Sequence, residues 1–440
     1  MSEVTLSHFQ QTINALIQQI EQASENDSRI SHSIELDAGF SFIDWLDAQP
    51  LFPKFYWQSR DTREEVVALG KEHIFSEPAP AYAVLSEGQR VWGGRSFDGS
   101  TEKNRRCMSS FFFLPQIELI RFDQHWSLNV NLNGGKAKAI QALTRLCCDV
   151  VTLQDEPTHI ESIQHTPEFP HWSALVDKAL EHIEQGQFKK VVLARKTELA
   201  LHHSINAAQF LKASTLSNHH SFHFLFALDK SHAFMGSTPE RLYCRYGTEL
   251  FTEALAGTIG RGCDAQEDLA LANWLSNDAK NLQENQYVVD DIVGSLAEHA
   301  HEIDVQDETR LIRLRKVQHL KREISAQLKI GVNGVQLLAA LQPTAAVAGL
   351  PRDEALSFIA EHEPFARGWY SGSVGFISHD RAEFCVAIRS ALVLDKCVKL
   401  FAGAGIVPGS DSEFEWQELD RKMSTLLTLI TEQSPLGVAS

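Results

Sequence analysis

Apolar residues in this chain recur at two spacings, and the switches between them mark out the elements. Residues 35–135 carry short apolar runs separated by turn residues: Phe55-Tyr56-Trp57, Arg90-Val91-Trp92 ahead of Gly93-Gly94, Phe111 to Leu114, and Trp126 to Leu132. Such runs predict strands. A helix is predicted over 136–154. A second begins at Trp172, where Trp172, Leu175, Val176, Ala179, Leu180 and Ile183 keep helical spacing until Gly186 stops it. Residues 155–171, with three prolines and little periodicity, read as a connector. The pattern thus divides the chain into 1–154, a packing half without a cluster of reactive residues, the connector 155–171, and 172–440.

The second half alternates buried strands with small-residue breaks. Phe188 to Ala194 is apolar on both faces past Lys190, as in a strand covered on two sides. A lysine at the mouth of such a strand either snorkels to solvent or, if desolvated, becomes a usable general base. Phe222 to Leu228 is another buried strand, and Gly236-Ser-Thr-Pro239 then turns the chain so that Glu240 opens the next one. Leu250 to Leu255 ends in Ala256-Gly257-Thr258, a segment that a ligand could approach closely. Asp264 caps a helical region running to about His299, in which Glu284 shares a side with Val288, Asp291 and Ile292.

The end of the chain concentrates polar groups. Residues 385–394 and 398–402 read as a hairpin around Asp395-Lys396, which brings Arg389 opposite Ala402 and Gly403. Ala402 to Val407, with Gly403 and Gly405, reads as a glycine-rich turn offering backbone N–H groups. Pro408-Gly409 breaks the strand, and Ser410 or Ser412 caps a helix with the stripe Leu419, Met423, Leu426, Leu427 and Ile430. Glu415, Glu418 and Lys422 sit at i, i+3 and i+7, close to that stripe. Taken singly, Ser412 to Glu415 is an ordinary capping box and Glu418 with Lys422 an ordinary ion pair. Taken together with Arg389, these groups suit a small, multiply anionic molecule and a carboxylate-bound metal.

Composition narrows the field. A chain of 440 residues, 43% hydrophobic, can bury a large core. Its formal net charge of −17 argues against nucleic acid and anionic membrane surfaces as partners. An anionic substrate must then be drawn in by local charge. Seven scattered cysteines without a C-x-x-C motif read as reduced core residues of a cytoplasmic protein. Neither a signal sequence nor an apolar run of membrane-spanning length is expected. The histidines of His219-His220-Ser-Phe-His223 open an apolar strand and do not suggest zinc, and Asn104-Arg105-Arg106 reads as a solvated turn.

The ordered set Lys190-Val-Val-Leu-Ala-Arg195, Gly236-Ser-Thr-Pro-Glu240-Arg-Leu, Ala256-Gly-Thr258, Lys280-Asn-Leu-Gln-Glu284, Leu341-Gln-Pro-Thr-Ala-Ala-Val-Ala-Gly349, Ala387-Ile-Arg-Ser390, Ala402 to Val407 and Glu415-x-x-Glu418-x-x-x-Lys422 resembles the chorismate-utilising enzymes. Within that family it is most similar to the menaquinone-pathway isochorismate synthases, through Phe55 to Asp61 and Gln342 to Arg352. The resemblance implies an α/β fold, mixed and largely antiparallel, like that of anthranilate synthase component I, with two sheets packed between helices. It implies Lys190 as the base that activates water and Glu240 as the acid that protonates the departing hydroxyl. Glu284 and Glu418, with Glu415, would hold Mg²⁺. Arg389, with amides of the Ala402–Ile406 turn including Gly403 and Gly405, would hold the enolpyruvyl carboxylate of chorismate, with Gly257, Thr258 and Lys422 completing the ring-carboxylate side. Leu255 stands where aminodeoxychorismate synthases carry a nucleophilic lysine, which favours water as nucleophile. Asn285 and Gln342 depart from the Glu-His and His-Pro pairs of many relatives. No obligatory protein partner is implied. Salicylate synthase and ammonia-using synthases are the same-class alternatives, and a non-catalytic polycarboxylate-binding protein is the alternative of another class.

Overall fold

The computed structural model describes residues 3–37, 39–99, 109–153 and 158–431. Two antiparallel sheets, of 12 and 10 strands, dominate it. This is the mixed α/β, largely antiparallel architecture expected. In the larger sheet Lys54–Gln58, Phe222–Asp229, His232–Thr238, Ser390–Leu394, Cys397–Ile406 and Lys190–Leu201 lie side by side in that order. In the smaller sheet the sequence of neighbours is Val317–Leu328, Glu249–Gly260, Arg241–Tyr246, Arg381–Val386, Ser373–Ile377, Val91–Arg95 and Phe111–Leu114. Both sheets therefore take strands from each side of residue 160.

The facing surfaces of the sheets are filled with aromatic rings. Phe55, Trp57, Phe222, Phe224 and Phe226 of the larger sheet meet Trp92, Phe113 and Phe376 of the smaller one, with Trp369 alongside. Ring centroids of Phe55 and Trp92 are 5.2 Å apart and those of Phe113 and Phe226 are 5.8 Å apart. Period-two alternation explains the layer: Phe222, Phe224 and Phe226 share one face of their strand, while Leu225 turns to the other, larger core. Helices cover the opposite faces. Ser412–Thr431 packs on Cys397–Ile406, and Ala279–Leu296 packs on Glu249–Gly260.

Several local readings change. The helix expected over 136–154 spans Lys136–Thr144. The expected connector carries the strand Ile160–Thr166, paired with Lys190–Leu201, and the start of the helix Phe169–Glu184. Gly93-Gly94 is not a turn but lies inside Val91–Arg95, where a side chain on Gly93 would strike the Phe111 carbonyl at 2.1 Å. The helical region from Asp264 holds two helices, Ala265–Asn277 and Ala279–Leu296, because Asp278 caps the second by accepting from Asn281 N–H. The Asn104-Arg105-Arg106 segment lies outside the described residues. Among the described residues, no helix is long and apolar enough to cross a membrane.

Phe226 is fully buried, with Phe55, Phe111, Phe113 and Trp369 around its ring. Phe226→Ala should cost about 3–5 kcal/mol through lost transfer energy and the cavity left behind. Urea unfolding should show this as a lower midpoint; an unchanged midpoint would mean that the aromatic layer does not hold the sheets together.

Candidate active site

The chain crosses between the sheets twice at one place. His232–Thr238 belongs to the larger sheet and Arg241–Tyr246 to the smaller, so Pro239 and Glu240 form one crossing. Arg381–Val386 and Ser390–Leu394 repeat the step in reverse, with Ala387, Ile388 and Arg389 as the second. The two crossings are bonded to each other: Val386 N–H donates to Glu240 O at 3.1 Å, and Ser237 N–H donates to Arg389 O at 3.1 Å. Residues 385–394 are therefore not one strand. Arg389 takes φ 49°, a left-handed conformation that costs an arginine roughly 1–2 kcal/mol, and the hydrogen bonds on either side hold it there.

A cavity opens beside the crossings. Glu240, Leu255, Gly257, Thr258, Glu284, Arg389, Gly403, Gly405 and Lys422 line it, together with His319, Tyr370 and Val192. Gly257, with φ +85°, forms a bulge where Leu255 faces Lys321 and Thr258 faces His319. Asn285 fixes this bulge from below, its amide donating at 3.2 Å to the carbonyls of Ala254, Ala256 and Leu320.

The glycine-rich segment is not a turn. Gly403 and Gly405 lie in the strand Cys397–Ile406, opposite Ala194 and Val192. They serve by being small. A side chain on Gly405 would meet Glu284 Oε1 at 2.4 Å and Lys190 Cε at 3.1 Å, and one on Gly403 would meet the Tyr370 hydroxyl at 2.8 Å. Behind Gly405, Lys190 is 0% exposed, its Nζ 3.0 Å from Glu284 Oε1. Among the described residues no hydrogen bond is aligned on that nitrogen, so proximity rather than a directed bond joins the pair.

Glu240 is 4% exposed. Burial, and then the nearby Glu253 carboxylate, push its pKa up to about 8 against the pull of Lys190, Lys422 and Arg389. The side chain is thus a protonated acid near neutral pH. Burial lowers Arg389 to about 10, which leaves it charged. His319 is missing from the sequence reading, and so is Tyr370. Burial first, then Arg389 and Lys422, hold His319 well below the ordinary imidazole range. Because the Arg389 guanidinium can only donate, His319 Nε2 accepts from it at 3.1 Å and Nδ1–H faces Thr258 Oγ1 at 2.9 Å. A single histidine between Gln318 and Leu320 carries no spacing signature that would single it out.

The helix Ser412–Thr431 brings in the remaining charges. Its cap is Asp411 rather than Ser410 or Ser412: Asp411 Oδ1 accepts from Glu413 N–H and Phe414 N–H, each at 3.0 Å. Lys422 Nζ reaches Glu418 at 2.6 Å and the Gly403 carbonyl at 2.9 Å. Glu415 is not a capping-box acid but is buried against Lys280 at 3.1 Å. Burial and then the Glu418 carboxylate push Glu415 up to about 7. Each of Glu284, Glu415 and Glu418 thus faces its own lysine. A separate exposed group, His159, Glu161 and His202, brings three possible ligand atoms within 4.8 Å of one another away from the cavity.

The family model described as chorismate binding enzyme matches residues 79–431. The chain belongs to the chorismate-binding enzyme family. Isochorismate synthase MenF of Escherichia coli is 41% identical over 90% of this chain and 92% of its own length. The Haemophilus influenzae isochorismate synthase MenF is 37% identical over 97% of this chain and 98% of its own. The solved structure of MenF, the menaquinone-specific isochorismate synthase from Escherichia coli, superposes with a TM-score of 0.89 at 38% identity, covering 96% of this chain and all, 100%, of that one. Anthranilate synthase component I from Streptococcus pneumoniae shares the fold, with a TM-score of 0.65 at 18% identity over 92% of this chain and 93% of its own.

In a family member built this way, adding one methyl at Gly405 should displace Glu284 from Lys190. Gly405→Ala is expected to lower turnover of the family substrate by about a hundredfold while leaving the circular dichroism spectrum unchanged, since a misplacement of about 1 Å at a reacting centre has that cost. Normal turnover by this variant would show that the close approach of Gly405, Glu284 and Lys190 is dispensable.

Proposed function

We infer that this chain is an isochorismate synthase, which converts chorismate to isochorismate, and that it supplies the menaquinone branch. The observation that carries the reading is Glu240: a buried carboxyl, protonated near neutral pH, sharing one cavity with Arg389 and lying within electrostatic reach of the buried Lys190. The similarity to the Escherichia coli and Haemophilus influenzae MenF proteins over nearly the whole chain supports the same reaction and branch.

In this reading Lys190, as its neutral amine, takes a proton from water as the oxygen attacks C2 of chorismate. The ring double bonds shift, the C4–O bond breaks, and Glu240 gives its proton to the departing hydroxyl, which leaves as water. One water enters and one leaves, so the product is an isomer. Leu255 lines the cavity and cannot act as a nucleophile, in keeping with water as the attacking group. Arg389, steadied by His319, holds the enolpyruvyl carboxylate. Thr258, Gly257 and Lys422 attend the ring carboxylate, and Gly403 with Gly405 gives the substrate room against the strand.

Glu284 and Glu418, with Glu415, would hold Mg²⁺. The chemistry of the donor set suits the ion, since it offers only carboxylate oxygens, as Mg²⁺ prefers; each carboxylate is turned to its own lysine, so the ion would have to take the lysine's place beside it. When bound, the ion supplies a positive centre for the ring carboxylate. The expected location is the cytoplasm, and no protein partner is required.

Purified protein given chorismate and Mg²⁺ should yield isochorismate by chromatography, and exhaustive EDTA treatment should abolish the activity. Salicylate with pyruvate as the main products would instead establish the lyase alternative. Lys190→Arg keeps the charge but cannot release a proton at working pH, so it should be nearly as inactive as Lys190→Ala; substantial turnover would exclude Lys190 as the base. Glu240→Gln should bind chorismate yet lose about 10²–10⁴ in rate. Because Glu240 must be protonated to act, kcat should fall as pH rises through about 8. A flat alkaline limb to pH 10 would remove Glu240 from the acid role.

A further inference from the structure

Arg60 comes from the half of the chain in which the sequence shows no reactive cluster, yet its side chain ends at the first crossing. Arg60 Nη1 donates at 2.6 Å to the carbonyl of Pro239, the residue before Glu240, and at 2.6 Å to Glu253 Oε1. Arg60 Nη2 donates to Glu253 Oε2 at 2.9 Å. Glu253 Oε1 in turn accepts from the backbone N–H of Arg241, the residue after Glu240, at 2.9 Å. The Arg60–Glu253 pair therefore grips the chain on both sides of Glu240. Lys321 adds a fourth contact to the same carboxylate, an ion pair at 3.1 Å. Glu253 is 3% exposed and lies outside the cavity lining.

We propose that Arg60, acting through Glu253 and the Pro239 carbonyl, is a positioning residue for Glu240, setting where its carboxyl points and the electrostatic field in which it ionises. The chemistry of an arginine suits this task. Its planar fork serves a carboxylate bidentately and has an N–H left for the carbonyl, three bonds in fixed geometry that a lysine cannot reproduce. The fixed charges explain the second part. Burial pushes Glu253 up, but Arg60 and Lys321 outweigh it and hold the carboxylate below the usual range, so it remains an anion. That anion raises Glu240, opposed by Lys190, Lys422 and Arg389. The aromatic ring of Phe222, 5.4 Å from the Arg60 guanidinium carbon, packs against the fork.

The inference rests on Glu240 being the acid of the reaction, and two measurements separate it from that reading. The unaltered chain's turnover of chorismate tests the reading itself. Arg60→Met should lower kcat about ten- to a hundredfold relative to the unaltered chain, with KM within about threefold, because the acid is misaimed while the substrate contacts persist. Arg60→Lys should restore stability without restoring kcat. Glu253→Gln is nearly isosteric and removes only the charge, so the Glu240 carboxyl, followed by ¹³C-glutamate NMR and assigned with Glu240→Gln, should titrate at lower pH than in the unaltered chain. That titration needs no turnover. Full kcat in Arg60→Met, or a drop matched by an equal loss of folded protein, would overturn the proposal, as would an unmoved Glu240 titration in Glu253→Gln.

Discussion

The double crossing between the sheets is the constraint on which the site depends. A chain passing from one sheet to another must leave its ladder, and the backbone groups it frees are costly to bury unpaired. Here two crossings run side by side and satisfy each other, through Val386 N–H to Glu240 O and Ser237 N–H to Arg389 O. Non-ladder backbone can therefore exist deep in the molecule. From such backbone an acid and a guanidinium reach one buried cavity from residues 149 positions apart, at 240 and 389.

Burying this much charge demands pairing. An isolated buried ion is strongly disfavoured, and opposite charges at close range with further hydrogen bonds offset the penalty. Around the cavity Lys190 with Glu284, Lys422 with Glu418 and Lys280 with Glu415 form three such pairs. Glu240 is the exception. Burial first, and then Glu253, make its carboxyl keep its proton despite Lys190, Lys422 and Arg389, while Glu253, held by Arg60 and Lys321, stays ionised. Two carboxyls in one neighbourhood thus take opposite states because of who stands next to them.

Much of this was legible in the sequence, and the parts that were not share a cause. The helix stripe ending in Ile430, the buried strand after Lys190 and the hairpin about Asp395-Lys396 are local patterns, and the structure has them. The segment around Gly403 and Gly405 was misread because glycine signals either a bend or a close approach. Only the neighbouring Glu284, Lys190 and Tyr370 decide for the second. The connector at 155–171 was misread because its prolines hide an edge strand whose partner, Lys190–Leu201, comes later in the chain. His319 and Arg60 were invisible for the same reason: each acts through a residue distant in sequence, at 389 and 253 respectively.

The order of strands in the larger sheet has a consequence for how the protein comes into being. Cys397–Ile406 is inserted between Ser390–Leu394 and Lys190–Leu201, and Lys54–Gln58 pairs with Phe222–Asp229. Contacts of such long sequence separation close slowly, because the entropy of the intervening loop is lost before any pairing is gained. On a ribosome, the wall of the cavity formed by Gly403 and Gly405 and the helix carrying Lys422 emerge after the strands that carry Lys190 and Glu240. A nascent chain would hold Lys190 and Glu240 with no pocket around them until Cys397–Ile406 and Ser412–Thr431 emerge, and the closed cavity would arrive in one step with that strand and helix.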